Sequence, residues 1–592
     1  MKNKVRKGRR DSWNDLLLPI LCVLCIMPFC VHLAEYDYGY STYLWHSEDS
    51  VAQDLYAYYR SYFFEIIVVV SLCVLTFRMA LYKEKNKPAK LFVPLAVYSV
   101  FALLSTIFSV NFRASLTGNF YQFQSIFVLT GFCLMCFYTY QVMEQERDYR
   151  TIVRGIVAAF VLISITGWFQ VFHHDLLNYE AVQRLVMSEE QFALYEGEIA
   201  DVFSGNNVFL TLYNPNYAAV FLVMTAAVFA ALAFGEQEKK KQVGYLVLLL
   251  MNLILLWFTY TRAALVALGV AAVIFVVCAG KSLIKLWKYI LPAVFLLAVV
   301  LIGADALNDF QYLSRIAETG KEAKLEEIRT SQDGVTITCE GKSLILSIEK
   351  ENLCVRDESG SSVKVEKSGK EEFLLPFPTP VPAIMLEEEG DLAFMVQVEE
   401  QALEFVQTEE GMFYRNEEGK LDEMTDIPKI DMHGLEYLGS GRLYIWSRVF
   451  PMLKNYLFVG SGPDTFAEVY PQNDYVGKIL YAGTPRRVME GAHNDYLTRC
   501  VQTGMLSVAA LLVFYVLLCW KCFSYYKYGE LYSVKGRLGF GCFLACTAYL
   551  VCCLFSDSTL YTTPMFYIFA GIALAAAEDG RDSSYGEKSK NI

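Results

Sequence analysis

Apolar residues recur along this chain in runs of roughly 17–22, the length that carries an α-helix across a hydrocarbon core about 30 Å thick. The runs are Leu16–Leu33, Phe63–Leu81, Leu91–Phe108, Tyr121–Val142, Thr151–Phe172, Tyr217–Phe234, Val243–Phe258, Ala263–Gly280 and Tyr289–Ala304, then Met505–Trp520, Leu538–Phe555 and Pro564–Ala577. They predict an all-α polytopic membrane protein of about twelve spans. The basic leader Met1–Arg10 resembles the start of a signal peptide, but no small-x-small cleavage pattern follows Phe29. The first run therefore reads as an uncleaved span with a cytoplasmic N-terminus.

Alternate connections carry the lysines and arginines: Lys83–Lys87, Lys239–Lys241, Lys281–Lys288 and Lys521–Arg537. The positive-inside rule places these in the cytoplasm. The intervening loops Glu35–Tyr59, Asn111–Phe120, His173–Asn216 and Asp305–Cys500 then face outward, and residues 578–592 form a cytoplasmic tail. This divides the chain into N-terminal spans (1–304), a large extracytoplasmic loop (305–500), C-terminal spans (501–577) and the tail.

The large loop has two parts. Residues 321–430 alternate β-branched and large apolar residues with polar ones, broken by Gly, Asn and Asp and by Pro376-Phe377-Pro378-Thr379-Pro380, which predicts a β-rich insert. Cys339 and Cys354 fall in strands that read as neighbours, compatible either with a disulfide or with two free thiols. Residues 437–500 are too polar for lipid yet run straight into the apolar helix at Met505.

Composition sharpens this picture only in part. The 592 residues are 55% hydrophobic and 19% charged, with a formal net charge of -12 that largely reflects the acidic insert. No basic groove, zinc-finger spacing or phosphate-binding Gly-rich loop appears, so nucleic acid is not an expected partner. Cys22-x-x-Cys25 and Cys133-x-x-Cys136 have metal-like spacing but sit in lipid-length runs, where cysteine behaves as a small hydrophobe. No metal or cofactor is expected.

Candidate chemistry gathers on the outward loops. Arg262 follows Thr259-Tyr260-Thr261 between two spans with almost no polar connection. It either snorkels to headgroups or clamps a diphosphate with its planar fork. Arg442 and Arg448 lie in Gly441-Arg442-Leu443-Tyr444-Ile445-Trp446-Ser447-Arg448, which reads as an amphipathic helix on the membrane with Tyr444 and Trp446 at the interface. His493 precedes the span at Met505 and is one of 6 histidines. An imidazole there suits proton removal from a hydroxyl, although an interface histidine is the simpler reading. Asn494 and Asp495 also read as helix caps, Asn214-Pro215-Asn216 as a turn and cap, and Arg113 as a further outward cation.

Four of these segments, taken in order, resemble the O-antigen ligase and O-antigen polymerase superfamily of bacterial membrane glycosyltransferases. They are Asn214-Pro215-Asn216, Thr259–Ala263, Arg442–Trp446 with Gly460-Ser461-Gly462-Pro463, and His493-Asn494-Asp495-Tyr496 before Gly504-Met505-Leu506. The resemblance implies a GT-C-like fold and transfer of a polyprenyl-diphosphate-linked glycan to an acceptor hydroxyl, on a glycan, lipid or protein, outside the cytoplasmic membrane. It further implies Arg262 and Arg442 as diphosphate ligands and His493 as general base. Arg113, Asn214, Asn216, Arg448 and Asn494 would support them. The insert between Asn308 and Arg442 departs from that pattern and leaves the acceptor open. A repeat-unit polymerase and a transporter of lipid-linked oligosaccharide are the competing expectations. Glu65 and Arg78 within the second span favour transport, whereas the one-sided cluster favours an enzyme. A sensor reading would need a cytoplasmic output domain after Ala577, and the tail that follows is short.

Overall fold

The computed structural model of the protein describes residues 14–37, 51–82, 90–119, 122–195, 207–280, 325–349, 352–367, 372–388, 391–398, 401–416, 419–527 and 531–588, with isolated positions 87, 303 and 306. Among them, eight helices are long and apolar enough to cross a membrane. Three shorter apolar helices, α1 (Leu18–Phe29), α5 (Ile126–Val142) and the stretch Thr563–Glu578, fall on further expected spans. Nearly all of the expected span Tyr289–Ala304 lies outside the described residues, as do Met1–Arg10. A multi-pass membrane protein accounts for these helices, because so much exposed apolar surface is stable only in lipid.

The helices are α2 (Tyr58–Tyr82), α3 (Val93–Ile107), the short α4 (Phe112–Thr117), α5, α6 (Glu146–Val171), α7 (Pro215–Gly235), α8 (Lys239–Trp257) and α9 (Arg262–Ala279). After the β-rich segment come α10 (Arg442–Met452), α11 (Tyr475–Ala482), α12 (Asp495–Thr503), α13 (Met505–Tyr526), α14 (Val534–Cys552) and α15 (Thr563–Lys588). Of the eight candidate spans, α7 and α14 are the most enclosed, and their crossing needs a glycine. A Cβ on Gly541 would lie 2.9 Å from the Cα of Val228, so only a bare backbone allows this approach. α5 begins five residues later than its apolar run, because Ser125 caps it and Gln124 is pinned by a bond to the Ser558 carbonyl (2.6 Å).

Connections separate to two ends of the bundle. At one end Arg537 pairs with Glu236 (2.9 Å), Lys521 with Glu578, and the Lys87 ammonium donates to the carbonyls of Tyr140 and Met143. Among the described residues this end holds Lys87, Lys239–Lys241, Lys521 and Arg537. At the opposite end the buried Arg60 guanidinium donates to the carbonyls of Met27, Pro28 and Thr211, tying together α1, α2 and the approach to α7. The antiparallel strands β1 (Ala34–Asp37) and β2 (Val51–Asp54) lie at that end too.

The expected β-rich segment forms two antiparallel meanders. β3 (Leu325–Ser331), β4 (Gly334–Cys339), β5 (Lys342–Glu349) and β6 (Asn352–Asp357) make one sheet in sequence order. The other runs from β7 (Glu366–Lys367) through β8 (Glu372–Leu375), β9 (Val381–Glu388), β10 (Asp391–Val398), β11 (Gln401–Gln407) and β12 (Met412–Arg415) to β13 (Leu421–Asp422). Their apolar faces share one core, which also takes in Tyr475 and Ile479 of α11. Cys339 and Cys354 are both free and are not on neighbouring strands. β5 stands between them and their partners on it, Lys342 and Ser347, are five positions apart, so strand spacing and rise together set them about 19 Å apart, far beyond disulfide reach. The tight turn at Glu340-Gly341, with φ of 49° and 74°, adds the strand that separates them.

Candidate functional site

His493 sits at the tip of a strap clamped on both sides. Upstream, the Gln472 amide donates to the Met489 carbonyl (2.9 Å) and accepts from the Met489 N–H (3.1 Å). The Trp446 indole donates to the Ala492 carbonyl (2.8 Å), and the Ala492 N–H donates to the Thr498 hydroxyl (2.9 Å). Downstream, Asn494 caps α12 by accepting from the Leu497 N–H, and Asp495 pairs with Arg499 at 2.9 Å while accepting from the Ser558 N–H. Between these anchors His493 is held at φ 47°, a left-handed backbone that side-chain-bearing residues rarely adopt.

Asp557, in the link between α14 and α15, holds this imidazole. Its Oδ2 lies 3.3 Å from His493 Nδ1 and accepts the His493 backbone N–H at 3.1 Å, while its Oδ1 accepts the Thr498 hydroxyl. Burial alone would raise the Asp557 carboxyl, but the hydrogen bonds it accepts from His493 and Thr498 outweigh it and hold the group below its ordinary value. The His493 side chain is 41% exposed, so the face away from Asp557 is open to a ligand.

Arg442 and Arg262 start α10 and α9 respectively. Arg442 lies within electrostatic range of Asp557, Arg262 and Tyr217. Burial, reinforced by the like charge of Arg262 and opposed by Asp557 and Tyr217, lowers the Arg442 guanidinium from its usual range. Its Nη1 donates to the Gly439 carbonyl (2.9 Å), whereas its buried Nε has no partner among the described residues. Arg262 is exposed. The preceding Thr261 hydroxyl donates to the Asn216 side chain (3.3 Å) and the Thr259 carbonyl rather than capping α9, leaving the first turn of that helix without a side-chain cap. An uncapped helix start beside a guanidinium favours an anion.

The remaining expected residues divide between supports and outsiders. Asn214 accepts from the Asn216 N–H and caps α7, and Asn216 in turn steadies Thr261, so both position Arg262. Arg448 is not part of the cluster: it is buried, pairs with Asp474 at 2.8 Å and stacks on Tyr444. Arg113 is exposed on α4, and its side chain makes no hydrogen bond or ion pair among the described residues. Tyr444 does not lie at a lipid interface either. It is buried with Ile445, Val449 and Phe466 in a small protein core, because α10 is covered by residues 466–501 on its apolar side.

Two acids escaped the sequence reading. Asp557 lies in Ser556-Asp557-Ser558-Thr559, a brief polar break between apolar runs. Glu490 is half-buried beside the strap. Burial, together with the charge of Asp557 and against that of Arg487, pushes its carboxyl up to about 8, so it keeps its proton at neutral pH. The signal for Asp557 was a lone acid between two apolar runs, whereas Glu490 has no such mark in the polar stretch 484–495. Comparison of the chain with protein-family models, with curated proteins and with solved structures finds no match.

Proposed function

We propose that this chain is a membrane glycosyltransferase of the O-antigen ligase-like kind. It would act at the outer face of a bacterial cytoplasmic membrane, with both termini in the cytoplasm. The observation that carries this reading is the convergence of Arg442, Arg262 and a carboxylate-backed His493 at one end of the bundle. Arg442 and Arg262 hold the diphosphate of a polyprenyl-linked glycan. A neutral His493 that keeps its proton on Nδ1 for Asp557 leaves Nε2 free as a base.

In the reaction, His493 Nε2 takes the proton of the acceptor hydroxyl as that oxygen bonds to the anomeric carbon of the donor. The bond from that carbon to the diphosphate oxygen breaks, and its electron pair leaves with the polyprenyl diphosphate. The two guanidinium groups neutralise the departing charge, and Asp557 stabilises the imidazolium formed beside it. The residues supply this chemistry without calling on a metal or cofactor. A repeat-unit polymerase would use the same steps with a lipid-linked acceptor. Transport draws on Glu65 and Arg78, but Glu65 accepts from the Ser125 hydroxyl (2.7 Å) and Arg78 lies 3.7 Å from Glu144, so each has a local partner.

The test is transfer from lipid-linked donor by the full chain in proteoliposomes. His493→Ala should insert normally and lose transfer by roughly 100-fold or more, in keeping with loss of a general base. Arg262→Lys, which keeps the charge and loses the fork, should be strongly impaired. Wild-type rates in His493→Ala would remove the general-base assignment.

A further inference from the structure

Beside the charged cluster lie three tyrosines that the mechanism above does not use. Tyr213 immediately precedes the capped turn of α7, Tyr217 lies in its first turn, and Tyr561 lies in the same α14–α15 link as Asp557. Their ring centroids are 5.3 Å (Tyr217–Tyr561), 6.3 Å (Tyr213–Tyr561) and 6.4 Å (Tyr213–Tyr217) apart, with planes 16–25° from parallel. In a simple pile the outer two rings would be separated by the sum of the two steps. Three near-equal separations instead mean that the rings are mutually offset, forming a stepped aromatic floor rather than a column.

One side of this floor is closed. The Arg60 guanidinium, itself fully buried, stands 4.7 Å from the Tyr561 centroid, and buried Tyr56 meets Tyr213 edge-on at 5.7 Å. The other side is open at Tyr213, which is 49% exposed. Tyr213 is held at φ 69°, a backbone that is an outlier for so bulky a residue. Its place is secured by the Asn214 N–H donating to the Leu212 carbonyl and by the Asn214 cap that follows. The floor also adjoins the site: Tyr217 lies within electrostatic range of Asp557, Glu490 and Arg442, and Tyr213 within range of Glu490 and Asp54.

The open ring of Tyr213 at the edge of this floor suits a ligand with a flat apolar face and a polar edge. A pyranose has both, its axial C–H groups on one face and its hydroxyls around the rim. A phospholipid headgroup, the usual neighbour of interfacial tyrosines, offers no such apolar ring face, which disfavours it. We infer that the Tyr213–Tyr217–Tyr561 floor is the subsite for the first sugar ring of the donor, seated beside the diphosphate held by Arg442 and Arg262. This inference rests on the function proposed above and adds the surface that reads the sugar.

The test compares binding of undecaprenyl diphosphate with that of undecaprenyl-diphosphate-N-acetylglucosamine to the full chain in nanodiscs. Wild type should prefer the glycosylated lipid by about tenfold. Tyr213→Ala should bind both lipids within about twofold of one another, Tyr213→Phe should retain the preference, and Arg442→Ala should weaken both lipids together. A Tyr213→Ala variant that keeps the sugar preference overturns the inference. So does one that loses both lipids equally, as a membrane anchor would. A wild type that binds both lipids alike overturns the floor and leaves the diphosphate site standing, whereas a wild type that binds neither overturns both.

Discussion

The replacement Asp557→Asn isolates the electrostatic part of the proposed mechanism. The amide has nearly the same shape but one acceptor oxygen: set at the Oδ2 position it still accepts from the His493 N–H, and its NH2 then donates to the Thr498 hydroxyl oxygen, so the strap should stay in place. What it loses is the negative charge 3.3 Å from His493 Nδ1, which matters only once the imidazole takes up the acceptor proton. At that distance a full ion pair is worth about 5 kcal/mol with an effective dielectric constant near 20. Because the His493 side chain is 41% exposed, solvent screens the pair, and about 2–3 kcal/mol is the fitting figure. That corresponds to a fall of about 30- to 150-fold in the transfer rate, since each factor of ten is about 1.4 kcal/mol. The assay is the initial rate of glycan transfer in proteoliposomes, followed by mass analysis of the lipid-linked donor, with thermal unfolding in detergent as the control for folding. In a His493→Ala background the same change should add almost nothing, because both residues act through one proton. A loss below about threefold in the folded single variant, or fully additive losses in the double variant, would refute the role assigned to Asp557.

Two further outcomes follow from buried charges away from the chemistry. Asp474→Ala leaves the Arg448 guanidinium buried without its 2.8 Å partner and should cost about 3–5 kcal/mol, read as a lower thermal midpoint; an unchanged midpoint would show that the pair is dispensable. Asp464 is pushed up to about 7 by burial and the nearby Glu468, although the N–H groups of Asn119 and Gln124 donate to it. Its folded value exceeds its unfolded one, so the folded chain holds the extra proton between about pH 4 and 7 and loses stability as pH rises through that window. Asp464→Asn keeps an acceptor for both N–H groups and should gain on wild type across the window, most at pH 8; equal midpoints at pH 5 and pH 8 relative to wild type would exclude this titration.

Much of the helical architecture was legible because lipid-length apolar runs have few alternatives. Arg262 stood out as a candidate for a related reason, being a cation between two such runs, whereas Arg442 was picked out by its amphipathic neighbours and His493 by its place shortly before Met505. Their partner Asp557 was not, because it lies 64 residues beyond His493 and only the fold of α12 against the α14–α15 link unites them. Arg448 misled in the opposite sense. It was expected to support the site beside Arg442, but the side chain turns inward to Asp474, whose position is set by a separate helix. The Cys339–Cys354 pairing failed at Glu340-Gly341, where two consecutive left-handed residues reverse the chain within what otherwise reads as one strand. The tyrosine floor depends on a residue from the α14–α15 link meeting two at the start of α7, and no local pattern announces such a meeting.

The two β-meanders close their shared core with side chains borrowed from α11, notably Tyr475 and Ile479. That same helix is capped by Asp474, which grips Arg448 six positions along the helix that Arg442 begins. Excising residues 325–422 would therefore do more than shorten a surface ornament. It would strip the apolar lining from α11 and loosen the abutment on which Arg442 stands, so, on the function proposed above, a trimmed chain should lose its grip on donor even with every reacting group intact.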